Sequence, residues 1–173
     1  MVELFIFVIL FYIVISIVVW SLKIGISPMF SSMKVISYIS HEIQKYDKNT
    51  IVDLGSGWGI FALIIAKNNP NKKIIGYELS PFPFYFSKLF KTVFQLNNLQ
   101  FYKKDFLEEE LDEDILYFTY LFPKGMEKLE QKIQQKDQKL LLLSSTFALR
   151  KIKASDKKVL NDLFKTIIYT YNI

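Results

Sequence analysis

The chain has 173 residues, 51% of them hydrophobic and 23% charged, so it holds one domain's worth of sequence and is not a disordered chain. It has no cysteine and one histidine, His41, which excludes disulfides and cysteine nucleophiles and disfavours a histidine-based triad or metal site. The net charge of +5 comes from lysine with a single arginine, Arg150, which argues against nucleic-acid recognition.

The N-terminal segment is an uninterrupted apolar stretch. Residues 4–22 contain no charge, and a helix of this length spans about 28 Å, close to the hydrocarbon thickness of a bilayer. Trp20 and Lys23 are residue types found at the membrane interface. The sequence therefore predicts a transmembrane anchor over residues 1–23. A cleaved signal peptide fits less well, because the only charge before the apolar run is acidic and no small-residue cleavage site follows it. A buried core helix is the remaining alternative.

The distribution of lysine predicts the orientation of this anchor. No lysine precedes the apolar stretch, and several follow it, namely Lys23, Lys34, Lys45 and Lys48. The positive-inside rule then places the rest of the chain in the cytoplasm, as a single-pass membrane protein.

Residues 24–49 are predicted to contain a linker and an amphipathic helix. Ser27-Pro28 marks a break in the chain. Apolar residues then recur at three- and four-residue spacing, at Met29, Met33, Ile36, Ile39 and Ile43. This spacing predicts a helix of about four turns against one edge of the domain. His41 lies on this helix and is predicted to be a surface residue.

Residues 50–173 alternate between strand and helix patterns. The predicted strands are Thr50–Leu54, Ile74–Glu78, Leu99–Lys103, Asp114–Tyr120, Lys139–Ser145 and Lys165–Tyr171. The predicted helices are Ile60–Asn68, Ser80–Leu96 and Lys124–Lys136. Lys151–Lys158 is predicted to be a solvated loop. The alternation predicts an α/β fold, a Rossmann-like, doubly wound and mostly parallel sheet, whose ligands bind at the carboxyl ends of the strands.

A glycine-rich turn follows the first predicted strand. Its spacing is G-x-G-x-G, at Gly55, Gly57 and Gly59, whereas the dinucleotide-binding fingerprint is G-x-G-x-x-G. Asp53 precedes the first glycine by two positions. A turn that binds pyrophosphate has no evident use for this acid, but a ligand with an ammonium group does. Asp53, Gly55, Ser56 and Gly57 are therefore candidate ligand-binding residues.

Two more acids follow the next two predicted strands. Glu78 lies 21 positions after Gly57, where a carboxylate can accept hydrogen bonds from both hydroxyls of a ribose. Asp105 and Phe106 follow the third strand and suit the exocyclic amine and the face of a purine. Because the carboxyl ends of parallel strands meet at one sheet edge, these residues predict one composite pocket.

These segments resemble the motifs of class I S-adenosylmethionine-dependent methyltransferases. VDLGSGWG is similar to their first motif, IIGYELS to the segment with the ribose-binding acid, and KKDF to the adenine-contacting segment. The resemblance covers about residues 30 to 173. It implies S-adenosylmethionine as cofactor, held by Asp53, Gly55, Ser56, Gly57, Glu78, Asp105 and Phe106. No metal site is predicted.

A narrower resemblance lies downstream. Asp114–Pro123, with Met126–Glu130 and Leu143–Phe147, is similar to segments of a protein-lysine methyltransferase family that includes mitochondrial enzymes acting on the ATP synthase c-subunit and archaeal relatives. Ser27-Pro28-Met29 fits the same pattern. The likeness implies that Tyr120, with Thr119 beside it, lies next to the methyl group as a wall and hydrogen-bond partner of the amine. Trp58 departs from the family, which often has an acid there. The sequence lacks the N/D-P-P-Y motif of enzymes that methylate amide or base nitrogens, which argues against methylation of DNA adenine or glutamine.

The expected function is a membrane-anchored methyltransferase that modifies a lysine of a membrane-associated protein. Its expected partners are the membrane, through residues 4–22, and this protein substrate, without nucleic acid. Two alternatives remain open. One is methylation of a lipid-soluble small molecule such as a lipid or quinone, and the other is a non-catalytic module that binds S-adenosylmethionine.

Overall fold

A computed structural model describes residues 1–24, 31–136 and 139–173. Within this part of the chain, five α-helices and seven strands alternate, and the strands form one sheet. The α/β fold with a mostly parallel sheet is as predicted.

The N-terminal segment is helical. Helix α1 spans Val2–Ile24, and most of its described side chains are exposed. Crossing a membrane takes about 20 consecutive apolar residues, and no helix offers a described stretch that is long and apolar enough. The transmembrane anchor predicted for residues 1–23 is therefore not confirmed. Five residues on which the sequence-based prediction of the anchor and linker rests have side chains outside the described part of the structure. They are Trp20, Lys23, Ser27, Pro28 and Met29.

The amphipathic helix predicted before the domain is present. Helix α2 spans Met33–Glu42 and begins after Ser32, whose hydroxyl accepts a hydrogen bond from the Val35 amide at 3.3 Å. Such a cap satisfies one of the free amides at a helix start. A 3-10 turn at Ile43–Lys45 ends the segment. His41 is exposed, as predicted.

The first half of the domain follows the predicted order closely. Its strands and helices are β1 (Thr50–Leu54), α3 (Ile60–Asn68), β2 (Lys73–Tyr77), α4 (Pro81–Val93) and β3 (Leu99–Tyr102). Pro81 occupies the first position of α4, where its missing amide hydrogen costs nothing. The strands pair in parallel, so their carboxyl ends share one edge of the sheet.

The second half departs from the prediction near the C-terminus. It contains β4 (Ile115–Thr119), α5 (Pro123–Lys136), β5 (Leu141–Ser145), β6 (Asp156–Val159) and β7 (Ile167–Asn172). Strand β6 overlaps the end of the segment predicted to be a loop, Lys151–Lys158, and extends to Val159. All four of its residues are exposed, so it shows no alternation of apolar and polar side chains by which a strand is recognised.

The strand order places a natural crevice in the middle of the sheet. The order is β3-β2-β1-β4-β5-β7-β6, in which β1 to β5 are parallel and β7 is antiparallel to both of its neighbours, β5 and β6. The chain winds outward from β1 to β3 and then returns to place β4 on the other side of β1. Ligands of such sheets bind at this reversal, outside the carboxyl ends of the strands.

Helices cover both faces of the sheet. Helices α2, α3 and α4 pack on one face, against Ile51, Ile74, Leu116 and Leu143. Helix α5 covers the other face, where Met126, Leu129 and Ile133 pack against Val52 and Leu142. Because both faces are buried, the central strands are apolar almost throughout, and a polar side chain such as Asp53 on β1 is an exception.

Candidate active site

A pocket opens at the reversal between β1 and β4. The space open to the centre of a water-sized molecule is about 40 Å³, within about 400 Å³ of empty space that includes open solvent at the mouth. It is lined by Ser31, Asp53, Gly55, Ser56, Gly57, Trp58, Ile60, Phe61, Phe118 and Tyr120. The glycine turn that the sequence singled out therefore forms one wall of this pocket.

The three glycines of this turn have different tasks. Gly55, Gly57 and Gly59 have φ of 76°, 53° and 77°, a region that other residues rarely adopt. A Cβ on Gly57 would meet nothing within 4 Å, whereas a Cβ on Gly59 would lie 2.6 Å from both Phe101 and Ser87. Gly57 is thus needed for its backbone conformation, and Gly59 also for the close packing of α3 beside β3 and α4.

Glu78 holds the turn in place. It is 1% exposed, and its carboxylate accepts hydrogen bonds from the Gly57 amide at 2.8 Å and the Ser80 amide at 2.6 Å. Burial raises the pKa of Glu78, and these amide bonds oppose the rise. Each carboxylate oxygen has a second lone-pair site, so contact with a ribose is compatible with these bonds and stays a prediction.

Asp53 is the acid that faces the pocket. It is 3% exposed and lies on β1 beside Phe118 of β4. Burial raises the pKa of Asp53 well above its ordinary 3.8, and the neighbouring Glu78 raises it further. A buried carboxyl group of this kind becomes ionised when a cation arrives beside it, because the cation offsets the cost of desolvation.

The polar groups of the pocket fit a cofactor with an amino-acid end. Within the described residues, the buried hydroxyl oxygen of Ser56 has no hydrogen-bond partner, although it lines the pocket. Buried polar atoms are nearly always paired, so this hydroxyl is available to a ligand. Together with the Asp53 carboxyl group it can hold an ammonium and a carboxylate.

The residues predicted to contact adenine are placed differently from one another. Asp105 is half-buried, and its carboxylate accepts a hydrogen bond from the Leu107 amide at 2.9 Å. Phe106 is 3% exposed and packs with the residues under α5. Neither residue lines the pocket as described, so their contact with a purine stays a prediction.

A cluster of aromatic side chains borders the pocket on the β4 side. Tyr120 lines the pocket and stacks on Phe147 with ring centres 6.4 Å apart, and Phe122 meets the same ring edge-on at 6.2 Å. Thr119 is fully buried, and its hydroxyl donates to the Leu54 carbonyl at 3.3 Å. Tyr120 is thus positioned at the site, whereas Thr119 joins β4 to β1 behind it.

Four lining residues were not found by sequence reasoning. They are Ser31, Ile60, Phe61 and Phe118. Phe61 and Phe118 stack with ring centres 3.8 Å apart and close the floor of the pocket. Their sequence signal is that of ordinary core residues, and only the strand order brings them to the site. Trp58 packs edge-on against Phe86 of α4 at 4.9 Å.

Solved structures similar to this fold include methyltransferases. An RNA methyltransferase from Salinibacter ruber, in complex with S-adenosyl-L-homocysteine, is 20% identical over 84% of this chain and 94% of its own, with a TM-score of 0.70. The putative methyltransferase yhhF from Escherichia coli is 10% identical over 83% and 87%, with a TM-score of 0.65. A ribosomal protein L11 methylase from Lactobacillus delbrueckii subsp. bulgaricus is 16% identical over 82% and 79%, with a TM-score of 0.60. At these identities the likeness shows the fold.

The fold and its crevice define a class I S-adenosylmethionine-dependent methyltransferase, and S-adenosylmethionine is the cofactor. Residues 53–156 match the family model described as the ANTKMT methyltransferase domain, and the chain belongs to this family. A search of curated proteins finds no relative. The narrower likeness to enzymes acting on the ATP synthase c-subunit receives no support from these matches.

Proposed function

We propose that the protein methylates a lysine side chain of a membrane-associated protein. The observation that carries this proposal is the pairing of the Asp53 pocket with the aromatic border formed by Tyr120, Phe122 and Phe147. A lysine must lose its proton before it can accept a methyl group, and its ordinary pKa is about 10.4. An apolar, aromatic entrance disfavours the ammonium form relative to water and so lowers that pKa.

Different residues of the pocket bind the cofactor and position the amine. S-adenosylmethionine supplies a methyl group that its sulfonium already activates. Asp53 and Ser56 hold the amino-acid end of the cofactor, and the turn around Gly57 keeps its backbone amides in place through Glu78. Tyr120 lines the same pocket, where its ring guides the amine and its hydroxyl accepts or donates a hydrogen bond. Positioning of this kind accounts for most of the catalysis expected of such a site.

We also propose that α1 associates with the membrane and leaves the domain on the cytoplasmic side. Its described side chains are large, apolar and exposed, for example Phe5 at 68% and Phe7 at 64%, and Glu3 is the one acid among them. Exposed apolar surface of this extent favours lipid over water by about 25 cal/mol per Å². Attachment would confine the enzyme to the plane in which its substrate lies.

The membrane proposal is tested by flotation of the full chain with lipid vesicles. Replacing Phe7 and Phe11, whose exposed rings stack one turn apart, by aspartate should move the protein out of the vesicle fraction. The matched control places aspartate at Leu163 and Phe164, which are exposed in the loop before β7, and should still float. Equal flotation of both variants would contradict attachment through α1.

The substrate proposal is tested with methyl-labelled S-adenosylmethionine, the full chain and a membrane fraction. We expect label on a protein band and, after hydrolysis, in methyl-lysine, with no transfer by Glu78→Ala. Label that partitions into organic solvent would instead identify a lipid-soluble small molecule as acceptor. Binding of S-adenosylhomocysteine without transfer to any fraction would identify a non-catalytic module.

A further inference from the structure

The outward face of α4 is apolar, although it points away from the core. Pro83, Phe84 and Ser87 form the buried side of this helix. The opposite side, here called the outer face of α4, consists of Phe82, Tyr85, Phe86, Leu89 and Val93. Tyr85, Leu89 and Val93 are 63%, 59% and 62% exposed. A helix on the surface of a soluble domain normally turns polar side chains to this side.

Helix α1 touches the outer face at one end and does not cover it. The rings of Tyr12 and Phe82 meet edge-on with centres 6.1 Å apart. Tyr12 itself is exposed, and Leu89 and Val93, further along α4, are exposed in the presence of the described part of α1. The apolar surfaces of α1 and α4 therefore adjoin at the Tyr12–Phe82 contact and remain open to the same surroundings.

The outer face continues to the wall of the pocket at Trp58. Phe86 packs on Trp58, which lines the pocket, and stacks on Phe90 at 4.4 Å. Whatever covers the outer face is therefore close to the wall of the pocket.

The segment that contains α4 carries lysine and no acid, which suits an anionic surface. The chain contains no acid between Glu78 and Asp105. The lysines in this interval are Lys88, Lys91, Lys103 and Lys104, of which Lys104 pairs with Glu109. Exposed aromatic and aliphatic side chains, on a helix whose charged residues are all lysine, are the composition of helices that lie in the headgroup region of a bilayer.

We propose that the outer face of α4 rests in the headgroup region of an anionic lipid bilayer and so holds the Trp58 side of the pocket at the membrane surface. This inference rests on the proposed association of α1 with the membrane and adds a second contact that sets the orientation of the domain. It restricts the acceptor to a group within reach of the headgroups, because Trp58 at the pocket and Phe86 on the outer face are in direct contact.

Spin labels on single introduced cysteines test this contact, because the native chain has no cysteine of its own. The full chain carries one label at a time, introduced by Leu89→Cys or Val93→Cys on α4, Leu163→Cys as an exposed control, or Leu10→Cys on α1 as a lipid reference. Each is placed in vesicles of phosphatidylcholine and phosphatidylserine. We expect the ratio of collisions with oxygen to collisions with a water-soluble nickel chelate to be several-fold higher at positions 89, 93 and 10 than at 163.

Each other outcome overturns the inference in a distinct way. Labels at 89 and 93 as accessible to nickel as the label at 163, with position 10 in lipid, would refute the α4 contact alone. A label at 10 that is also accessible to nickel would refute the membrane association on which the inference rests. Spin–spin broadening at position 93 would show that a second copy covers the face. Binding of S-adenosylhomocysteine to the same preparations tests the methyltransferase site separately and shows that each variant is folded.

Discussion

The two halves of the sheet build their sides of the active site by different means. The donor half, residues 50–105, contributes buried acids and a glycine turn, with Glu78 bonded to the Gly57 amide. The acceptor half, residues 115–173, contributes aromatic rings around Tyr120 and the buried Thr119 hydroxyl, which joins β4 to β1. The donor half therefore depends on backbone geometry and charge, and the acceptor half on the shape of its side chains. Substitutions in the two halves should fail in different ways.

The largest effect is expected in the glycine turn. Gly59→Ala adds a Cβ that would lie 2.6 Å from Phe101 and Ser87 and forces a left-handed backbone on alanine. Together these should lower the free energy of unfolding by about 2–5 kcal/mol. Gly57→Ala is the matched control, because its Cβ meets open space, and should cost about 1–2 kcal/mol. Equal losses in chemical denaturation would show that Gly59 is not needed for close packing.

Asp53→Asn should weaken cofactor binding in the donor half without unfolding the domain. Loss of a charge-assisted contact costs about 1.5–3 kcal/mol, which corresponds to roughly a 10- to 100-fold weaker Kd for S-adenosylmethionine. Equilibrium binding of the full chain measures this loss. Asp105→Asn is a useful comparison, since Asp105 lies outside the pocket as described. An unchanged Kd in Asp53→Asn would remove this carboxyl group from the site.

Tyr120→Ala should impair turnover while leaving the donor half intact. Removing the ring opens the wall that Tyr120 and Phe147 form, and we expect kcat to fall at least about tenfold because the amine is no longer positioned. The Kd for S-adenosylhomocysteine should change much less. Tyr120→Phe keeps the wall and reports the hydroxyl alone. If kcat of Tyr120→Ala equals that of the native enzyme, the acceptor does not pass this ring.

The pH dependence of stability should trace to the buried acids. The pKa of Asp53 is higher in the folded than in the unfolded chain, so the folded state binds more protons between the ordinary value of 3.8 and the raised pKa. The free energy of unfolding of the cofactor-free protein should therefore fall as pH rises through that window. Asp53→Asn should flatten this slope, measured by denaturation at several pH values. A native slope of opposite sign would contradict the assigned burial of Asp53.

The smallest effect is expected at Thr146 in the acceptor half. Thr146 has φ of 72°, which is unfavourable for a β-branched residue, in the loop that carries Phe147. Thr146→Gly should relieve this strain and raise the free energy of unfolding by about 1 kcal/mol. Thermal denaturation checks the gain, and Ala148→Gly in the same loop serves as a control without it. A destabilised Thr146→Gly would mean that the threonine side chain contributes more than its backbone costs.

The donor half was more predictable than the acceptor half. Asp53 and the glycine turn lie next to each other in the sequence. The alternation of strands and helices predicts that Glu78, after the next strand, lies at the same edge of the sheet. Phe106 shows the limit of this reasoning, because the turn after Asp105 directs its ring into the core beneath α5. Strand β6 was missed since its exposed residues carry no pattern, and Phe118 was missed as a pocket residue because only the position of β4 beside β1 makes it one.

Calorimetric titration of the full chain with S-adenosylhomocysteine tests most directly whether the crevice between β1 and β4 is the cofactor site. We predict one saturable site per chain, and no saturable heat for Glu78→Ala, because that substitution removes the bonds to the Gly57 and Ser80 amides. Absence of saturable binding to the native chain, or full affinity in Glu78→Ala, would contradict the account of this site.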